Sequence, residues 1–88
     1  MAKTTFLGIT MGWTTEAMAV AQETGLSLDE IASDIGRIRD GRDTREDLLA
    51  RCLDGADADR VQGWTEYVDA IVDAASVPTQ SVKVGDGW

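Results

Sequence analysis

Residues 21–31 read Ala21-Gln-Glu-Thr-Gly25-Leu26-Ser27-Leu-Asp-Glu-Ile31, and no other stretch constrains the fold as strongly. Gly25 tolerates the left-handed backbone that ends a helix. Ser27 with Glu30 forms the Ser-x-x-Glu box that starts the next one. A small residue, Gly four later, Ser two on and an apolar residue four on is the spacing of two helices meeting across a tight turn. In a DNA reader the second helix of such a corner enters the major groove. Here that helix opens with Asp29 and Glu30, and the 88-residue chain carries a formal net charge of −8, which DNA phosphates repel.

The same logic of caps and apolar steps divides the rest of the chain. Thr14 or Thr15 caps a first helix that runs to about Thr24, with Glu16 well placed for the helix dipole and Ala17, Met18, Val20 and Ala21 apolar. In the second helix Leu28, Ile31, Ile35 and Ile38 recur at steps of three and four, one apolar stripe closed by Gly41. Thr44 with Asp47 opens a third helix whose buried face is Leu48, Leu49, Cys52 and Leu53, ended by Gly55. Asp57 is then expected to cap a fourth and longest helix to about Ala75, with Val61, Trp64, Val68, Ile71, Val72 and Ala75 facing inward. Pro78 forbids its continuation.

The ends are less regular. Residues 4–11 suit a short strand weakened by Gly8 and Gly12. The tail from Gln80 to Trp88 alternates Val82 and Val84 around Lys83, and either pairs with residues 4–9 as a small ribbon or stays flexible. The expected architecture is a mainly α, compact four-helix domain with a helix–turn–helix-like corner and at most a β ribbon from the two termini. It is read as one domain over 1–88: a strand in 1–13, a helical core in 14–75 and a tail or strand in 76–88.

Composition then narrows the chemistry. Apolar content of 43% suits a folded chain. There is no His, which removes the commonest general base and metal ligand, and the single Cys sits on an apolar helix face, where a buried thiol is expected. One Cys allows no internal disulfide. Asp57 as the first residue of a calcium loop puts Val61 and Gln62 where a ligand and a Gly are required, so that pattern fails. Gly85-Asp86-Gly87 lacks the strand–helix setting of a phosphate loop. The expectation is a non-enzymatic protein with no cofactor and no metal. No apolar run approaches the roughly 20 residues a membrane span needs, and the N-terminal segment is too short and polar for a signal peptide, so a cytoplasmic location is expected (the host cell's cytoplasm if the protein is viral).

Two stretches resemble known families. Trp13-Thr-Thr-Glu-Ala-Met-Ala-Val-Ala-Gln-Glu-Thr-Gly-Leu-Ser-Leu-Asp-Glu-Ile31, followed by Arg39-Asp-Gly-Arg-Asp-Thr44, resembles part of MerR-type regulators, in which a Gly-Leu-Ser-Leu-Asp-Glu-Ile-like segment belongs to the second helix pair. Residues 1–12 hold no counterpart of the family's winged DNA-reading unit, so none of its DNA-contacting residues carries over. Asp57-Ala-Asp-Arg-Val-Gln-Gly-Trp-Thr-Glu-Tyr-Val-Asp69 is similar to an acidic helical stretch of some phage anti-CRISPR proteins that mimic DNA. That resemblance implies an inhibitor of a nucleic-acid-binding protein.

The residues support that second implication on their own terms. Asp59, Glu66 and Asp73 are spaced by seven and line one outer stripe, with Asp69 beside them. Seven residues advance about 10.5 Å along a helix. A ladder of carboxylates at that pitch imitates a nucleic-acid backbone and fits a partner's Lys/Arg groove. Asp29, Glu30 and Asp34 make a second patch, and Trp88 with Val82 and Val84 is either a cover for the ribbon or an anchor for a partner. The expected partner is a basic nucleic-acid-binding protein or complex, rather than nucleic acid itself or a membrane. The alternatives are a DNA-binding regulator using Ser27, Arg37, Arg39 and Arg42, and a structural component of a larger assembly.

Overall fold

The computed structural model describes residues 4–76. Its first element is a hairpin: β1 (Thr4–Phe6) pairs antiparallel with β2 (Ile9–Met11), in the register Thr4 with Met11, Thr5 with Thr10 and Phe6 with Ile9. Leu7 and Gly8 make the turn, both at positive φ (56° and 80°). Positive φ at both central residues is what matches a two-residue turn to the twist of its strands. Among the described residues the ribbon is the N-terminal segment folding on itself. Val82, Val84, Trp88 and the rest of the tail lie outside the described residues.

Four helices follow: α1 (Thr15–Thr24), α2 (Leu28–Arg39), α3 (Arg45–Leu53) and α4 (Val61–Ser76). The Thr14 hydroxyl accepts from the Ala17 amide at 3.1 Å and starts α1. At its end Gly25 adopts φ 72°, and the amides of Gly25 and Leu26 donate back to the Gln22 and Ala21 carbonyls at 3.2 and 3.0 Å. That double bond to the last turn is the helix-ending motif Gly favours. The Ser27 box closes reciprocally, with Ser27 N donating to Glu30 Oε1 at 3.0 Å and Glu30 N to Ser27 Oγ at 3.2 Å. Thr44 caps α3 through the Asp47 amide at 3.1 Å.

Asp57 does not cap α4. It precedes a 3-10 turn over Ala58–Arg60, makes no side-chain capping bond, and accepts the Arg60 amide through its carbonyl at 2.9 Å. The tighter turn satisfies that amide with backbone alone, so the carboxylate stays in solvent.

α4 is the hub. α1, α2 and α3 each lie against it, and so does β2, whereas α1 and α2 have little contact with each other. The tight corner at 25–27 is thus a real turn without the mutual helix packing of a helix–turn–helix unit. The core is drawn from β2 and all four helices: Met11, Val20, Ile31, Leu48, Tyr67, Val68 and Ile71 are buried, and among the described residues no charged or polar side chain is. Two expected core positions face solvent instead, Leu28 (48% exposed) and Val61 (42%), because each sits in the first turn of its helix, beyond the reach of its neighbours. α1 comes closest to α4 at Gly63, where a Cβ would lie 2.5 Å from Val20 Cγ1 and 2.9 Å from the Glu16 carbonyl oxygen.

Candidate functional site

Because three helices and a strand cover α4, only a narrow line of it faces outward. Gln62, Glu66, Asp69 and Asp73 fall on that line, at successive helical steps. α4 carries no Lys or Arg of its own. Glu66 accepts from the Gln62 amide at 2.8 Å. Its carboxyl is held below the usual range by the Thr14 side chain and then by Gln62, both hydrogen-bonding the charged form. Asp69 accepts from Arg45 Nε at 2.7 Å, with both side chains substantially exposed. Asp59 is exposed but lies in the 3-10 turn before the helix, so the seven-residue ladder keeps its pitch only from Glu66 to Asp73.

The second patch divides into two kinds of residue. Asp29 and Glu30 are exposed in the first turn of α2, and Glu30 uses Oε1 in the capping box. Asp34 is not a surface acid. Its side chain is only 12% exposed, it pairs with Arg37, and Oδ2 accepts the Tyr67 hydroxyl at 2.8 Å. Arg37 also reaches Ser33 Oγ at 2.7 Å and Asp43 at 3.1 Å, and Asp43 takes Arg51 as well. This network ties α2, α3 and α4 together from the side.

Above it lies a groove of about 530 Å³ between α2, α3 and α4. Leu48, Trp64 and Tyr67 line its apolar part, and Asp29, Glu30 and Asp34 its acidic edge. Cys52 also lines it. Burial, then the negative charge of Asp34, pushes its thiol up to about 11, so it is protonated at neutral pH. Burial, again with Asp34, raises the Tyr67 phenol well above its ordinary value. Tyr67 was not among the expected core positions, yet it is fully buried and sits between Trp13 (centroids 6.0 Å apart) and Trp64 (5.5 Å, nearly perpendicular). Its position three after Trp64 and four before Ile71 is the signal that marks it. Phe6 extends the aromatic row from the hairpin, 5.1 Å from Trp13.

All six arginines of the chain lie within the described residues, and each has a partner there. Arg37, Arg42, Arg45, Arg51 and Arg60 pair with carboxylates, while Arg39 reaches the Ala74 carbonyl at 3.4 Å. Each arginine of the Arg37–Arg42 cluster that a DNA-reading role requires therefore already has a partner in its own chain, Arg39 and Arg42 at the exposed surface. Among the described residues no group of three or more His, Cys, Asp or Glu is placed to hold a metal ion, and no helix is long and apolar enough to cross a membrane. Compared with models of protein families, with curated proteins and with solved structures, the chain matches none.

Proposed function

We propose that this chain is a small acidic, non-enzymatic protein that binds a basic nucleic-acid-binding protein or complex and inhibits or adapts it, by presenting carboxylates in place of a nucleic-acid backbone. The observation that carries the reading is the outward line of α4. The single exposed face of the hub helix holds Glu66, Asp69 and Asp73 and no cation from its own sequence. A rigid helix buried on its other sides fixes the spacing of those charges, which a flexible acidic tail does not. Regular, preorganised negative charge speeds encounter with a Lys/Arg groove and selects for it. The resemblance of residues 57–69 to acidic anti-CRISPR helices points the same way. The engagement of Arg37 and Arg42 with Asp34, Asp43 and Asp40 weighs against the regulator alternative.

The test is a tagged pull-down from the native cells, split into nuclease-treated and untreated halves, with wild type beside a Glu66→Lys, Asp69→Lys double variant. A stoichiometric nucleic-acid-binding protein that survives nuclease and is lost with the double variant supports the reading. DNA that disappears with nuclease, with no protein retained, overturns it in favour of a functional helix–turn–helix.

A further inference from the structure

The chain holds the Asp–Gly pairs Asp40–Gly41, Asp54–Gly55 and Asp86–Gly87, the last outside the described residues. Such a pair rearranges without enzyme or co-reactant. The glycine amide nitrogen attacks the aspartate side-chain carboxyl carbon. The new C–N bond closes a five-membered imide, and the amide hydrogen and the carboxyl OH leave as water. Water then reopens the ring, and opening at the main-chain carbonyl routes the peptide through the side chain as isoaspartate. Glycine favours the attack because no Cβ shields its nitrogen.

Both described pairs are exposed, so access does not separate them. Hydrogen bonding does. Asp40 caps the end of α2, and the Gly41 amide donates to the Ile38 carbonyl at 3.1 Å within that cap. The Asp40 carboxylate pairs with Arg42 at 2.9 Å. Attacking and attacked groups are both engaged. Asp54 and Gly55 instead form the centre of a type II turn, with φ −64° and ψ 115° at Asp54 and φ 75° at Gly55. The Ala56 amide closes it on the Leu53 carbonyl at 3.0 Å. Neither the Gly55 amide nor the Asp54 carboxylate has a partner among the described residues. At ψ 115° the Gly55 nitrogen faces away from the Asp54 side chain, so ring closure needs the central peptide of the turn to flip. Glycine accepts φ of either sign, and type I and type II turns share the same closing bond, so the flip breaks no hydrogen bond.

We propose that Asp54–Gly55 is a site of spontaneous isoaspartate formation in the folded protein, and that the fold protects Asp40–Gly41 from the same reaction. The product keeps one carboxylate, so the net charge stays at −8. It adds one methylene to the main chain between α3 and the 3-10 turn that leads into α4, away from Glu66, Asp69 and Asp73. The inference does not depend on the acidic-partner reading.

The experiment ages the full chain at neutral pH, one half folded and one half in urea, over days to weeks. Samples are digested, and the isomers of the peptides containing Asp40 and Asp54 are separated by chromatography and identified by electron-transfer fragmentation. In the folded chain isoaspartate is expected at Asp54 about tenfold faster than at Asp40, the factor that one intact amide hydrogen bond supplies. In urea the two rates are expected to converge, because the cap that protects Asp40 is gone. Asp54→Glu is expected to remove the product at that position, since its ring would need six members, and to leave the rate at Asp40 unchanged. Asp40 converting as fast as Asp54 in the folded chain, the folded-state ratio persisting in urea, or product at Asp54 only in urea overturns the proposal.

Discussion

Tyr67 joins α4 to α2 and to the aromatic residues on either side of it. Its ring separates Trp13 from Trp64, and its hydroxyl holds Asp34, which in turn holds Arg37. Tyr67→Phe keeps the ring and removes one hydrogen bond while Asp34 retains Arg37, so a loss of about 1 kcal/mol is expected in urea unfolding. Tyr67→Ala empties the aromatic row and is expected to cost about 3–5 kcal/mol, enough to unfold much of a marginal domain. Cys52 offers a second residue-level check. With its thiol raised from 9.0 to about 11, the native protein holds about a hundredfold less thiolate at pH 8 than an ordinary cysteine, and alkylation should be slower by that factor until urea exposes it. The sign for stability follows from both groups being raised in the fold. The protonated thiol and phenol are favoured by the native state, so their contribution is intact below their ordinary values and is lost as pH climbs through the raised ones. Melting temperature should hold steady from neutral pH to about 9 and fall above it. A fall that begins near pH 7 would point to some other titrating group.

At the scale of elements, the sequence spelled out its helices and hid its hairpin. Thr14, Ser27 with Glu30, and Thr44 are capping residues whose chemistry is local, and each caps as expected. Asp57 looked equally suitable, but the chain enters α4 through a 3-10 turn that needs only its carbonyl, a choice no side chain announces. The hairpin was illegible because its turn begins with Leu7, at φ 56°, where turn chemistry calls for Asn, Asp or Gly. Left-handed backbone costs a non-glycine residue about 1–2 kcal/mol, and Leu7 is 42% exposed, so little burial offsets it. Leu7→Asn should therefore raise stability by about 0.5–1 kcal/mol, seen as a higher urea midpoint with an unchanged slope. Gly63 carries the opposite lesson. A Gly inside a helix reads as a weakness, worth up to about 1 kcal/mol against Ala. Here it admits α1: a methyl would meet Val20 Cγ1 at 2.5 Å and the Glu16 carbonyl at 2.9 Å, and a backbone atom does not rotate aside. Gly63→Ala should lose about 1–3 kcal/mol despite its better helix propensity. A gain in melting temperature would mean that α1 and α4 are farther apart than these distances.

For the whole molecule, the question is what a net charge of −8 does to a fold in which all six arginines are engaged. Composition revealed the excess but not its distribution, since pairing depends on which helices meet. Asp34 illustrates the gap. Its sequence position groups it with Asp29 and Glu30, while tertiary contact turns it inward to Tyr67 and Arg37. Asp69 likewise belongs to the acidic line yet also meets Arg45, 24 residues away. Added salt weakens two opposing effects. It screens the six carboxylate–arginine pairs among the described residues, which stabilise, and it screens the repulsion among the remaining acids, which destabilises. Exposed pairs contribute about 0–1 kcal/mol each, and Arg42–Asp40 and Arg45–Asp69 are of that kind. The least exposed carboxylates in the set, Asp34 and Asp43, are screened less by added ions. Relief of repulsion should therefore win, and sodium chloride from about 0.02 to 0.5 M should raise the melting temperature by a few degrees, on the order of 1 kcal/mol for a domain of this size. Chloride is the right anion for this, because sulfate strengthens apolar burial by itself. The same salt should loosen any basic partner, so stability and binding are expected to move in opposite directions over one titration. A melting temperature that falls alongside binding would mean that the arginine contacts outweigh the repulsion, and that the acidic surface is closer to internally balanced than its net charge implies.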